Sequence, residues 1–143
     1  MPSIQPVGVG SVTKHFLAMA WGGGDGPIRN AGNELIVEET DTPNTYVTVG
    51  TGSYIISEVP RKNLSERIVG PFAAPSGDTR IDLIQWTLHI GPNIVAGSEG
   101  GAAPSAEADS IPLATVTCPV GMSTVKNTSD GTNAYITDAR SFL

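Results

Sequence analysis

Along this chain, apolar and polar positions exchange in short runs divided by turn formers, a pattern that predicts strands from end to end. Leu35-Ile-Val37, residues 46–49 and residues 53–56 are β-rich. Pro43-Asn44 supplies a turn after the first run, and Gly50-Thr-Gly52 reads as a hairpin connection between the other two. Residues 59–66 read as a polar, proline-containing link, and Ile68-Val69 as a short strand stopped at Gly70-Pro71. Residues 80–90 give the strongest strand. Ile84, Trp86, Leu88 and Ile90 share one parity, while Ile81 and Leu83 open the other before Gln85, Thr87 and His89 take over. Such a strand suits a sheet covered on both sides at one end. Gly91-Pro-Asn93 then turns into Ile94-Val-Ala96, and residues 97–109 hold too little apolar area to order themselves. Residues 111–118 return to strand, with Pro112 marking a start or an edge. Residues 122–126 and Tyr135-Ile136 complete the β region. No helix-period run of about twelve residues occurs. The expected fold class is all-β, a sandwich or barrel-like domain with an extended N-terminal arm.

The domain division places the arm and a Gly-rich hinge at residues 1–33 and the β domain at 34–143. Pro2, Pro6, Gly8 and Gly10 punctuate the start, and Gly22-Gly-Gly-Asp-Gly-Pro27 reads as a flexible break. Between them, residues 11–21 are apolar without clean alternation, either a short helix capped by Ser11 or an extended segment. Phe16, Leu17, Met19 and Trp21 are the candidate interface, since each large side chain gains roughly 1.5–3 kcal/mol on burial. A neighbouring subunit and the chain's own domain are both available to cover them.

Composition sharpens this picture. Only 15% of the 143 residues are charged, against about a quarter in a typical soluble domain. Much of the surface is therefore neutral, and partner subunits are expected to cover part of it. The formal net charge is -6 with eight basic residues, of which Arg61, Lys62 and Arg67 are the densest group. Nucleic-acid binding through phosphate neutralisation is not expected from such a balance. No run approaches the ~18 apolar residues of a membrane span. The single cysteine, Cys118, excludes an intrachain disulfide and sits in an apolar run, as a buried inert thiol would. Asn63-Leu-Ser65 and Asn127-Thr-Ser129 match the glycosylation pattern but read as chance without a secretory signal.

Candidate chemistry is sparse. His15, His89 and Cys118 stand at no ligand spacing, so no metal is expected, and nothing suggests a cofactor. No nucleophile motif occurs. Gly8-Val-Gly10 lacks the third glycine and the βαβ unit of a dinucleotide site. Asp25 and Asp130-Gly131 are turn formers, and Glu38-Glu39 with Asp41 reads as a solvated strand end rather than a glycosidase pair. No enzyme is expected. Arg80, Asp82, Asp138 and Arg140 are candidate structural charges, pairing with other charged groups at the sheet rim.

Two stretches carry a resemblance. The first is Leu35-Ile-Val37, Thr42-Pro-Asn44, Val47-Thr-Val-Gly50 and Gly52. The second runs from Gly77-Asp-Thr-Arg-Ile-Asp-Leu-Ile84 through Gly97, Pro104, Ile111-Pro-Leu-Ala114 and Val116 to Ile136-Thr-Asp-Ala-Arg140. Together they resemble a β module widespread in tailed-bacteriophage virion proteins, found in tail-fibre, baseplate and related surface proteins. The resemblance implies a scaffold that trimerises about a threefold axis. A fibre usually continues into a shaft, whereas this sequence stops three residues after Arg140. The expectation is therefore a capsid decoration (cement) protein on the capsid surface of the virion, a homotrimer with the major capsid protein as partner. The alternative is a tail-fibre, baseplate or vertex/head-fibre component for host attachment. Neither involves nucleic acid or a membrane.

Overall fold

The longest strand pairing joins two segments that alternate apolar and polar residues, 80–87 and 110–118. A computed structural model of the chain describes residues 24–143 and contains strands without helices. The strands are β1 (Gly26–Pro27), β2 (Val37–Glu39), β3 (Val47–Val49), β4 (Gly52–Ile56), β5 (Val59–Asn63), β6 (Arg67–Val69), β7 (Arg80–Thr87), β8 (Gly91–Val95), β9 (Ser110–Cys118), β10 (Val125–Lys126) and β11 (Ala134–Asp138). They form a five-stranded sheet, β10-β11-β9-β7-β8, and two three-stranded sheets, β2-β3-β6 and β1-β4-β5. The all-β expectation holds, and no sheet closes into a barrel.

Strand order explains the layering. In the β2-β3-β6 sheet, β2 approaches β10 and β11, and β6 approaches β8, so this sheet lies across the larger one from edge to edge. Val37, Val47, Val49 and Val69 face Ile84, Trp86, Ala114 and Val116 in one continuous core, which Tyr54 and Ile56 of β4 extend. Tyr54 and Trp86 meet at a ring-centroid distance of 5.3 Å, a favourable tilted aromatic pair. β7 and β9 slip register between Ile84 and Gln85, beside Pro112, where a residue without an N–H costs the ladder least.

Several local expectations give way to the observed geometry. The strand expected over 80–90 ends at Thr87, because His89 takes φ 67° and turns the chain back. Gly91-Pro-Asn93, read as the turn, opens the edge strand β8 instead, and proline is tolerated on an edge. Gly50-Thr-Gly52 is no hairpin: β3 and β4 belong to different sheets. Gly52 fits that corner because a Cβ there would stand 2.7 Å from Glu34 Cβ. The real hairpin joins β4 to β5 through Ser57-Glu58, both at positive φ, as a two-residue turn matched to strand twist requires. The proline-containing link therefore contains a strand, whose edge carries Pro60, Arg61 and Lys62, residues that discourage further pairing. Leu35 lies outside β2, at φ 54°.

Gly26–Pro27, placed in the hinge by sequence, pairs antiparallel with Tyr54 and Ile55. The chain's end holds it there: Leu143 N donates to Pro27 O at 3.0 Å. Phe142 lies under two guanidinium groups, Arg29 at 4.2 Å and Arg140 at 4.9 Å. Residues 97–109, expected not to order themselves, are tied down by polar contacts rather than apolar area. Glu99 Oε1 accepts the amides of Gly77 and Asp78, Gly100 N donates to Thr79 O, and Glu107 N donates to Gln85 Oε1.

Candidate functional site

Two strands of the large sheet position the four charged residues singled out by sequence. β7 carries Arg80 and Asp82, β11 leads through Asp138 to Arg140, and β9 lies between them. Across the ladder Asp82 faces Val116, and Ala114 faces Asp138. The two acids are thus held apart by a whole strand and never form a carboxylate pair.

Each acid binds the arginine of its own motif. Arg80 Nε donates to Asp82 Oδ1 at 2.8 Å and Arg80 Nη2 to Asp82 Oδ2 at 3.0 Å. Alternation over two residues places both side chains on one face, and this makes the bidentate geometry possible. Arg80 Nη2 also donates to Ala73 O at 2.7 Å, and Gly97 N donates to Asp82 Oδ1 at 2.9 Å. Hydrogen bonding to Asp82 raises the Arg80 pKa, against the opposing effect of burial. The expected role at a solvated rim is corrected here: Asp82 is 2% exposed and belongs to the interior.

The second pair is half in, half out. The Asp138 side chain is 59% exposed and that of Arg140 only 6%. Arg140 Nε reaches Asp138 Oδ1 at 2.9 Å, while Nη1 reaches across to Glu34 O at 2.8 Å. The hydrogen bond from Arg140 holds the Asp138 carboxyl below its ordinary value despite partial burial. This arginine ties the end of β11 to the loop before β2, 106 residues away in sequence. Its partners are thus an acid and a backbone carbonyl, a tie between loop and strand.

Glu34, which sequence reading passed over, does the same work, as does Asp130, read there as a turn former. Glu34 is buried and accepts backbone amides from Asn30, Ala31 and Gly32. Burial pushes its pKa up, but those amides outweigh it and the net shift is downward. Asp130 caps a turn by accepting the amides of Thr132 and Asn133, which brings its pKa down to about 2. Gln85 is fully buried on the other face of β7, where its amide reaches Asn93 and Glu107. The legible signal was weak: Glu34 follows Asn30-Ala-Gly-Asn33, a loop-former cluster.

Two open grooves flank β2. The first, about 360 Å³, runs between β2 and β11 over an apolar floor that includes Val37, Leu113 and Ile136, with Glu38 and Arg140 at its sides. The second, about 270 Å³, lies on the outer face of β2 and β3 and carries Glu38, Glu39, Asp41 and Glu66. Ile36 and Glu38 line both. Among the described residues, no group of three His, Cys, Asp or Glu is placed to hold a metal ion. His89 is exposed at its turn, and Cys118 is fully buried beside Asp82, 4.0 Å from Oδ2. Asn63 of the first glycosylation match is buried and donates to Gly50 O, so it cannot accept a glycan in this fold. Phe16, Leu17, Met19 and Trp21 lie outside the described residues. No family model, curated protein or solved structure matches the chain.

Proposed function

We propose that this chain is a non-enzymatic structural subunit of a tailed-phage virion: a capsid decoration protein that binds the outer shell as a homotrimer. One observation carries the reading. Three segments on which the resemblance rests, Arg80-Ile-Asp-Leu-Ile84, Ile111-Pro-Leu-Ala114 and Ile136-Thr-Asp-Ala-Arg140, fall on the neighbouring strands β7, β9 and β11 and the turn that follows. Distant parts of the sequence thus converge on one sheet. Their charged residues bind each other and backbone groups, so the motif side chains serve the scaffold.

The surface fits assembly. Leu64, Ile68 and Ile90 are 78%, 69% and 70% exposed in the isolated chain. They lie after β5, on β6 and in the β7–β8 turn. Large apolar side chains exposed in this way gain free energy when a partner covers them. A stable contact needs on the order of 1,000 Å² of buried surface, for which the apolar side chains of residues 16–21 are additional material.

The test is copy number in purified particles, together with the mass of the free protein. Decoration predicts hundreds of copies per virion and a trimer in solution. A few to a few tens of copies would favour the tail-fibre, baseplate or head-fibre alternative, which the same resemblance supports. A monomer that ignores particles would overturn both.

A further inference from the structure

We infer that the pocket between β6 and the β7–β8 turn, built around Arg67, receives a carboxylate from the acidic groove over β2 and β3 of a second copy of this chain. The inference deepens the homotrimer reading and rests on it, by naming a contact through which copies meet.

In this pocket, donors lack acceptors. It measures about 170 Å³ and is lined by Tyr54, Arg67, Trp86, His89, Ile90 and Gly91. Alternation along β6 turns Arg67 to the face of buried Val69, and its Cζ lies 5.8 Å from the centroid of the Trp86 ring. Gly91, at φ 102°, permits that approach: a Cβ there would stand 3.1 Å from both Arg67 Nη1 and Nη2. Indole and glycine thus hold the guanidinium, yet it donates no hydrogen bond to a described residue. Trp86 Nε1 and the Tyr54 hydroxyl also have no hydrogen-bond partner among the described residues, although both side chains are buried.

That inventory decides the ligand. A guanidinium and an indole N–H only donate, and no acid lines the pocket. An acceptor must come from outside, and a carboxylate matches the fork of a guanidinium. Pockets for whole small molecules span about 300–1,000 Å³. This smaller one suits the head of a single side chain.

The complementary surface lies on the same chain. The groove on the outer face of β2 and β3 is lined by Glu38, Glu39, Asp41 and Glu66 and by no basic residue. Glu38, Asp41 and Glu66 are exposed. Each patch also holds an exposed isoleucine, Ile90 at 70% in the pocket and Ile68 at 69% in the groove. Opposite charge steers the two patches together, and the isoleucines supply apolar area once they touch. Glu66 and Arg67 are consecutive, so the patches lie back to back along β6, an edge strand of its sheet, and no ion pair joins them within the chain. Copies therefore meet head to tail, and such a contact closes into a ring when its rotation allows.

The test starts from the mass of the full chain in solution, where the parent should sediment as a trimer. Arg67→Glu and, separately, a Glu38→Lys, Asp41→Lys, Glu66→Lys variant should each raise its dissociation constant at least about 30-fold, the loss expected on breaking a paired interface charge. Mixing the two variants should restore association, because the acidic groove of the first still meets the intact Arg67 of the second. A parent trimer that either variant leaves unchanged, or a loss that mixing does not repair, overturns this contact and spares the homotrimer reading. A parent that stays monomeric at every concentration overturns both. Independently, Arg67→Lys protein is mixed as heavy- and light-nitrogen chains and treated with a zero-length carbodiimide. The new amine should be joined to Glu38, Asp41 or Glu66 of the other chain, seen as peptide pairs of mixed isotope; crosslinks confined within chains refute the proposal.

Discussion

Asp82 and Gly97 meet in the interior: the glycine amide donates to the same carboxylate oxygen that Arg80 Nε occupies, at 2.9 and 2.8 Å. One buried acid thus fixes the start of β7 and, two residues after β8, the start of the 97–109 loop. Replacing it strands an arginine whose side chain is 17% exposed. Asp82→Ala should therefore cost about 3–5 kcal/mol, the range for breaking one side of a buried pair. Urea unfolding of the variant against the parent measures it.

Gly97 has its own constraint. A Cβ at this position would lie 2.0 Å from Ile81 O, a backbone atom that cannot rotate away. Gly97→Ala must push β7 and the loop apart, and overpacking of this kind costs about 1–3 kcal/mol. The expected readout is a lower urea midpoint together with new protease cleavage within 97–109. Glu99→Ala, which removes the acceptor of the Gly77 and Asp78 amides, should reproduce the cleavage while leaving the midpoint near the parent's.

These two sites show what was legible in the sequence and what was not. Alternation over 80–87 and 111–118 marked the central strands, because one face of each must be apolar. The β4–β5 hairpin was missed because Ser57-Glu58 is not a glycine turn, although both residues take positive φ. The order in 97–109 was missed because it rests on Glu99, Glu107 and glycine amides rather than on apolar burial. Arg80-Ile-Asp82 was read as a charge pair at the sheet rim, but Asp82 is buried, and its burial depends on the loop that folds over it. Composition alone does not reveal such a cover.

Acid should weaken the fold through the carboxylates that accept backbone amides or face arginine. Glu34, Glu99, Asp130 and Asp138 all have folded pKa values below their ordinary ones, Asp130 at about 2 against 3.8. A lowered folded value means that the unfolded chain binds protons first as pH falls. Their contribution is therefore full above the ordinary carboxylate range. It fades as pH drops from the ordinary values, 3.8 for Asp and 4.5 for Glu, towards about 2. Thermal midpoints measured across that window should fall steadily. Glu34→Gln should flatten part of the slope and lower stability at pH 7, where the charged acceptor matters most.

Cys118 sets the opposite limit. Burial is the main cause that pushes its thiol up to about 11, the Asp82 charge adds to it, and Arg80 opposes it. At pH 8 only about one thiol in a thousand is then ionised, and the thiolate is the reactive form. Iodoacetamide should leave the native protein unlabelled and modify it readily in urea. Here the folded value lies above the unfolded one, so the neutral thiol's contribution is complete below about pH 9. It is lost as pH rises from there towards about 11. Cys118→Ala should remove this alkaline loss, at a cost in packing that a lower urea midpoint at pH 7 records. If native Cys118 alkylates at pH 8 as fast as the unfolded chain, the β9 end beside Asp82 is open rather than packed.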